Sequence, residues 1–152
     1  MKTLILAVGR ARPGPEKTLF DHYASRLRGG LAVVEVEEKR PLPVPARKER
    51  EAELLLAQVP PGAVLVALDE HGKAWSSLAL ARALEKWQDD SRPALAFAIG
   101  GADGHGTALL ARADVVVSLG ALTWPHMLVR ALIAEQVYRA QCILGGHPYH
   151  RE

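Results

Sequence analysis

The residues best equipped for chemistry crowd the end of the chain, where His147, Tyr149, His150 and Arg151 follow a Gly145-Gly146 turn. Histidine titrates near neutral pH and can handle a proton. Arginine stabilises an anion, and a tyrosine ring stacks on a base. Polar chain ends are more often frayed than functional, so two surface histidines in a loose end are the plain alternative. His147 and His150 stand three apart, which also invites a metal. With Cys142 as the only cysteine and no supporting acidic cluster, no metal is expected.

Three upstream groups offer a binding site. Ile99-Gly100-Gly101-Ala102-Asp103-Gly104-His105-Gly106 is a glycine-rich connection that lets a ligand approach the backbone and opens a short helix with unpaired amides. The dinucleotide fingerprint requires GxGxxG after the first strand and an acidic residue about 20 positions on. Here GGxxGxG follows the fourth strand, so that fingerprint is absent. Asp69 and Glu70, in LDEHGKAW, are carboxylates at a strand end, but adjacent residues there point in different directions. The third group is Gly120-Ala121-Leu122-Thr123-Trp124-Pro125-His126. The three loops follow the third, fourth and fifth strands and should converge at one sheet edge, forming a pocket suited to an adenosine-like ligand.

The elements that must position these groups alternate. Strands are expected at Lys2–Val8, 31–36, 63–68, Ala94–Ile99 and Val115–Ser118. Helices are expected at about 15–28, 46–58, 77–88 and 107–113, with a last one after His126. Serines before residue 77 can cap the third helix, and Leu80, Leu84 and Trp87 give it one apolar face. Strands that are continuous apolar runs separated by helices indicate α/β: a mostly parallel sheet with helices on both faces. The last helix is apolar nearly all round, with Arg130, Glu135, Gln136 and Arg139 as its polar residues, and suits its own core on one flank and a partner subunit on the other.

Composition narrows the class. At 152 residues, with 49% hydrophobic and 24% charged residues, the chain reads as one globular domain, 1–152. Cys142 lies in the apolar helix and reads as a buried, inert thiol in a reducing cytoplasmic setting. The short apolar run at the start is broken at Arg10 and Arg12, and no stretch approaches the ~20 apolar residues a membrane span needs, so no membrane partner is expected. Net charge is only +2, although basic residues gather at Arg10, Arg12 and Lys17 and again from Lys39 to Arg50, as a solvated face or a weak footprint for an anion.

LDEHGKAWSS at 68–77, IGG..G at 99–104, SLGALTWPH at 118–126, LVR.L..EQ.YRA at 128–140 and HPYHRE at 147–152 together resemble the RlmH family, small methyltransferases that act on 23S ribosomal RNA. LAVGR near the start fits too, so the resemblance spans the chain. It implies a SPOUT fold, an α/β sheet whose C-terminal part forms a deep trefoil knot. It also implies a homodimer through the last helix and methylation of N3 of a pseudouridine, with the assembled ribosome as substrate. S-adenosylmethionine would be held by Leu68, Gly100, Gly101 and Gly120, Ala121, Leu122, Thr123, Trp124 and Pro125. This chain departs from the family in carrying Ala102-Asp103 where Pro-Glu is common, Gly120 for a frequent Ser, and Trp124 for an aliphatic residue. In this reading His150 accepts or relays the imide proton, with His147 as the alternative base. Arg130 or Arg151 stabilises the anion and Tyr149 holds the base, the tail coming from either protomer. The competing readings are a methyltransferase of this fold aimed at transfer RNA, and a non-catalytic nucleotide-binding regulatory module.

Overall fold

The computed structural model describes residues 1–151; Glu152, which closes HPYHRE, lies outside the described residues. Ten elements alternate: β1 (Lys2–Val8), α1 (Pro15–Ala24), β2 (Ala32–Val36), α2 (Val44–Leu56), β3 (Val64–Ala74), α3 (Ser77–Asp89), β4 (Ala94–Ile99), α4 (Thr107–Arg112), β5 (Val115–Ser118) and α5 (His126–Leu144). The strands form one parallel sheet in the order β2-β1-β4-β3-β5.

Both faces of the sheet are covered, so β4 is buried at every position and β1 from Thr3 onward. Alternate side chains feed two cores. Ile5, Val66 and Phe97 pack with α1, α3 and α5, while Leu6, Leu65 and Ala96 pack with α2 and α4. The connections explain this division. β1→β2 and β3→β4 step one way along the sheet, and β2→β3 and β4→β5 step the other. Crossovers of one hand that step in opposite directions must place their helices on opposite faces. All strand ends that follow this rule deliver their loops to one edge.

Several boundaries differ from the sequence expectation. α1 ends at Ala24, not 28, because the chain tightens through i→i−3 bonds into Gly29 and Gly30, both at left-handed φ. α2 begins at Val44, with Pro45 inside its first turn, where a missing N–H costs nothing. β3 does not stop at 68. After a register shift between Leu68 and Lys73 it pairs again with β5, Lys73 against Val117 and Ala74 against Ser118. Ser76 caps α3 by accepting from the Ala79 amide at 3.0 Å, as the serines suggest.

α5 also corrects an expectation. It lies between α1 and α3, so both flanks are covered by its own chain, and none of its residues is exposed. Ile133, Val137 and Ala140 enter the core, and Cys142 is buried. The ridge that no other helix covers is its outer one, where Leu128 and Leu132 are half-buried and outside the core cluster. Among the described residues no helix is long and apolar enough to cross a membrane.

Candidate active site

The carboxyl ends of β1, β3, β4 and β5 open onto a cavity of about 1240 Å³. The loops from all three expected groups line it, so the convergence read from the sequence is present. Of the residues expected to hold a cofactor, Leu68, Gly100, Gly101, Gly120, Leu122, Thr123 and Trp124 line the cavity; Ala121 and Pro125 do not. Gly120 has φ +104 and open space where a side chain would stand. Its amide donates to Ser118 Oγ at 3.0 Å, and Trp124 Nε1 donates to the Leu119 carbonyl at 3.2 Å, so this loop is braced from within. Leu122 is 73% exposed at the rim.

The β3 wall is built by the bulge. Asp69 Oδ1 accepts from the His71 amide at 2.8 Å and lies 3.1 Å from its ring nitrogen. Asp69 and Glu70 are therefore bound up with His71 and do not form a facing pair. Gly72 makes the bulge possible, because a Cβ there would meet the Val116 backbone at 2.7 Å.

Besides His71, two histidines line the cavity without an expected role. His105 is buried, with Nε2 3.1 Å from the Ala98 carbonyl oxygen. A carbonyl only accepts, so Nε2 carries the hydrogen. Nδ1 is left as an unpartnered lone pair beneath Gly100 and Gly104. Burial lowers the pKa of His105, and burial followed by the charge of Arg130 lowers that of His126. Both rings are neutral at neutral pH.

Arg130, one turn into α5, faces away from the open cavity and is 3% exposed. It donates to Glu35 at 2.6 Å and to the Gly9 carbonyl at 3.0 Å, tying α5 to β2 and to the end of β1. Burial opposes the charge on Glu35, but the Arg130 guanidinium and the Ala11 amide outweigh it and hold its pKa below the usual value.

The tail is elsewhere. None of His147, Tyr149, His150 and Arg151 lines the cavity. Tyr149 donates to Glu135 at 2.9 Å, its ring lies 4.9 Å from that of Tyr138, and the Arg139 guanidinium sits 4.8 Å from its centroid. His150 Nδ1 is 3.1 Å from Arg139 Nη1. Arginine only donates, so Nδ1 accepts and the hydrogen of the neutral ring is on Nε2, a buried atom with no partner. Among the described residues no group of three histidine, cysteine or acidic side chains is placed to hold a metal.

Sequence reasoning noted Arg47 and Lys48 within the basic group from Lys39 to Arg50 but did not single out Glu51. All three line the cavity from α2. The signal was available: Glu51 stands in register with Ala52 and Leu55 on the buried stripe of the helix, where an acid has no ordinary reason to be.

The family model described as "Predicted SPOUT methyltransferase" matches residues 1–150. The chain belongs to the SPOUT methyltransferase family and is an enzyme of methyl transfer. It is 72% identical over 151 residues to the ribosomal RNA large subunit methyltransferase H of Rhodospirillum rubrum, covering 99% of each chain. The proteins of that name from Paramagnetospirillum magneticum and Rhodospirillum centenum are 57% and 53% identical, again with 99% coverage of both chains. Among solved structures, the SpoU methyltransferase AviRb from Streptomyces viridochromogenes, in complex with AdoMet, aligns with a TM-score of 0.50 at 17% identity. That alignment covers 91% of this chain and 57% of AviRb, and supports the fold alone.

Proposed function

We propose that this chain transfers a methyl group from S-adenosylmethionine to N3 of a pseudouridine in large-subunit ribosomal RNA, as a homodimer acting on the assembled ribosome in the cytoplasm. The observation that carries this reading is the single cavity formed by three strand-end loops, in a chain so close to ribosomal RNA methyltransferases. The residues present fit a cationic nucleoside cofactor. Backbone at Gly100 and Gly101 lines the cavity where a purine and a ribose can hydrogen-bond it, Gly120 leaves room beside them, and Asp69 and Glu70 complement positive charge. When bound, S-adenosylmethionine supplies an activated methyl group to a nucleophile held in line with it. The path from β5 at the sheet edge back to α5 beneath β4 is read as the deep trefoil knot.

The chain's own residues have two tasks: to position the base, and to take the imide proton as N3 gains the methyl. The tail carries the groups for the second task, but in its own protomer it packs near Glu135, about 13 Å along the axis of α5 from His126. It therefore serves the cavity of the other protomer, across the outer ridge of Leu128 and Leu132. His150 accepts or relays the proton there, Tyr149 holds it, and Arg151 faces the developing anion, with His147 as the alternative base. Arg130 acts on the site indirectly, through Gly9 and Glu35.

Methyl transfer from labelled S-adenosylmethionine to ribosomes lacking the modification, beside free ribosomal RNA and transfer RNA, tests this. Label on ribosomes, mapped to a pseudouridine, supports it. Label on transfer RNA alone moves the enzyme to that substrate, and cofactor binding without transfer leaves a regulatory module.

A further inference from the structure

Glu51 has no conventional place in this fold. It is 8% exposed, on the stripe of α2 that packs against the sheet. Its carboxylate oxygens lie 3.0 and 3.1 Å from where a Cβ of Gly101 would stand, so a side chain there would press on them. Among the described residues it is the buried cavity carboxylate without a donor. Glu38, nearby, is clamped by Arg40 and Arg50, which hold its pKa down at about 2. Asp69 is bound to His71, and Asp103 is exposed. The Glu51 side chain lines the cavity and accepts no hydrogen bond from the protein, which leaves it open to a donor on a bound molecule. Desolvation raises the pKa of Glu51, as expected of a carboxylate awaiting a donor.

The place of Glu51 in the cavity narrows what the donor is. At about 1240 Å³ the cavity exceeds the ~1,000 Å³ upper range of small-molecule pockets. Beyond the loops assigned to the cofactor it is lined by Val8, Gly9 and the α2 residues Arg47, Lys48 and Glu51, with Glu51 beside Gly101. A nucleotide next to the cofactor would find there two cations for its phosphate and, one turn along the same helix, a carboxylate for a base N–H. Uridine offers one ring N–H, at N3, which must face the methyl donor. Pseudouridine has a second, at N1, on the ring edge next to N3 and occupying the position of a C–H in uridine.

We propose that Glu51 accepts the N1–H of the target pseudouridine and is the residue by which this site prefers pseudouridine over uridine. The inference rests on the pseudouridine reading above. With uridine bound, a C–H faces the carboxylate, and its desolvation goes uncompensated.

The experiment compares methylation of two ribosome preparations, one carrying pseudouridine at the target position and one carrying uridine there. Three proteins are used: the natural chain, E51L and E51Q. E51L removes the acceptor at similar volume and relieves the buried charge, so its Tm should rise. E51Q keeps a carbonyl acceptor. We expect E51L to lose roughly 10- to 100-fold in kcat/KM on pseudouridine ribosomes, the scale of one hydrogen bond to a charged group. Its rate on uridine ribosomes should rise, because the carboxylate that uridine leaves uncompensated is gone, and E51Q should recover much of the preference. Two outcomes overturn the proposal. One is an undiminished pseudouridine preference in E51L. The other is a loss of calorimetric affinity for S-adenosylmethionine but not for S-adenosylhomocysteine, which would assign Glu51 to the cofactor's positive charge. A natural chain that methylates neither ribosome refutes the functional reading itself; equal rates on both refute only the role of Glu51.

Discussion

His150 shows how a residue's chemistry depends on its partner. With Nδ1 accepting from Arg139, its neutral ring carries the hydrogen on Nε2 and has no lone pair to offer a second proton. To act as a base it must leave Arg139, so tail release belongs to the proposed cycle. H150A should lower kcat by about 10²- to 10⁴-fold, the usual value of a positioned base. Calorimetry should find cofactor affinity unchanged, because His150 is assigned to the imide proton of the base and not to the loops that hold the cofactor. Unchanged turnover on ribosomes would remove His150 from the mechanism. Arg130 has the opposite profile. R130M leaves Glu35 without its main partner and should cost about 2–3 kcal/mol in urea unfolding, somewhat below a fully buried pair because Glu35 is partly exposed. The sequence displayed both side chains as available cations or bases. Their partners come from β2 and from the middle of α5, at separations of 95 and 11 residues, and no local spacing announces them.

At the scale of elements, legibility followed the strength of the local pattern. β1, β4 and β5 were placed without error because each is a nearly uninterrupted apolar run, as expected of β1 and β4, which are buried on both faces. The second half of β3 was not legible. Asp69, Glu70, His71, Gly72 and Lys73 have the composition of a turn, and only pairing with Val117 and Ser118 makes the chain extended there. G72A tests that pairing. The added methyl would strike the Val116 backbone, and backbone cannot step aside as a side chain can, so the variant should lose about 1–3 kcal/mol. Hydrogen exchange should locate the loss in β5. Stability unchanged within error would mean that the bulge opens freely. S76A is the milder case, costing about 1 kcal/mol for the lost cap of α3 and leaving the cavity untouched.

For the whole molecule, the buried neutral histidines give stability a direction with pH. His105 and His126 both have lowered pKa values, so below their ordinary value of 6.5 the unfolded chain binds more protons than the native one. Their contribution is complete above about pH 6.5 and is lost as pH falls through the folded-state values. Glu51 acts oppositely: with a raised pKa its contribution is present below about pH 4.5 and lost as pH rises. Thermal melts from about pH 7.5 to 5 should show a falling Tm, with a shallower fall in H105L. A flat profile would show that both rings protonate freely in the native state. The class of fold was visible in the alternation of elements, and the site in the glycine loops. Arg47 and Lys48 were noted as basic, but Glu51 escaped because a charged helix reads as a solvated face until the sheet buries one side of it.

The enclosure of α5 between α1 and α3 sets an order of events for a newly made chain. Until residues 126–144 emerge, the face of the sheet carrying Ile5, Val66 and Phe97 lacks Ile133, Val137 and Ala140 as its cover, and the cavity lacks His126 and Val129. A nascent chain whose α5 has not yet emerged thus has neither a finished core nor a place for either reactant. Catalytic competence waits on the docking of residues 126–144, so a change in that helix acts on the birth of the enzyme as much as on its finished form.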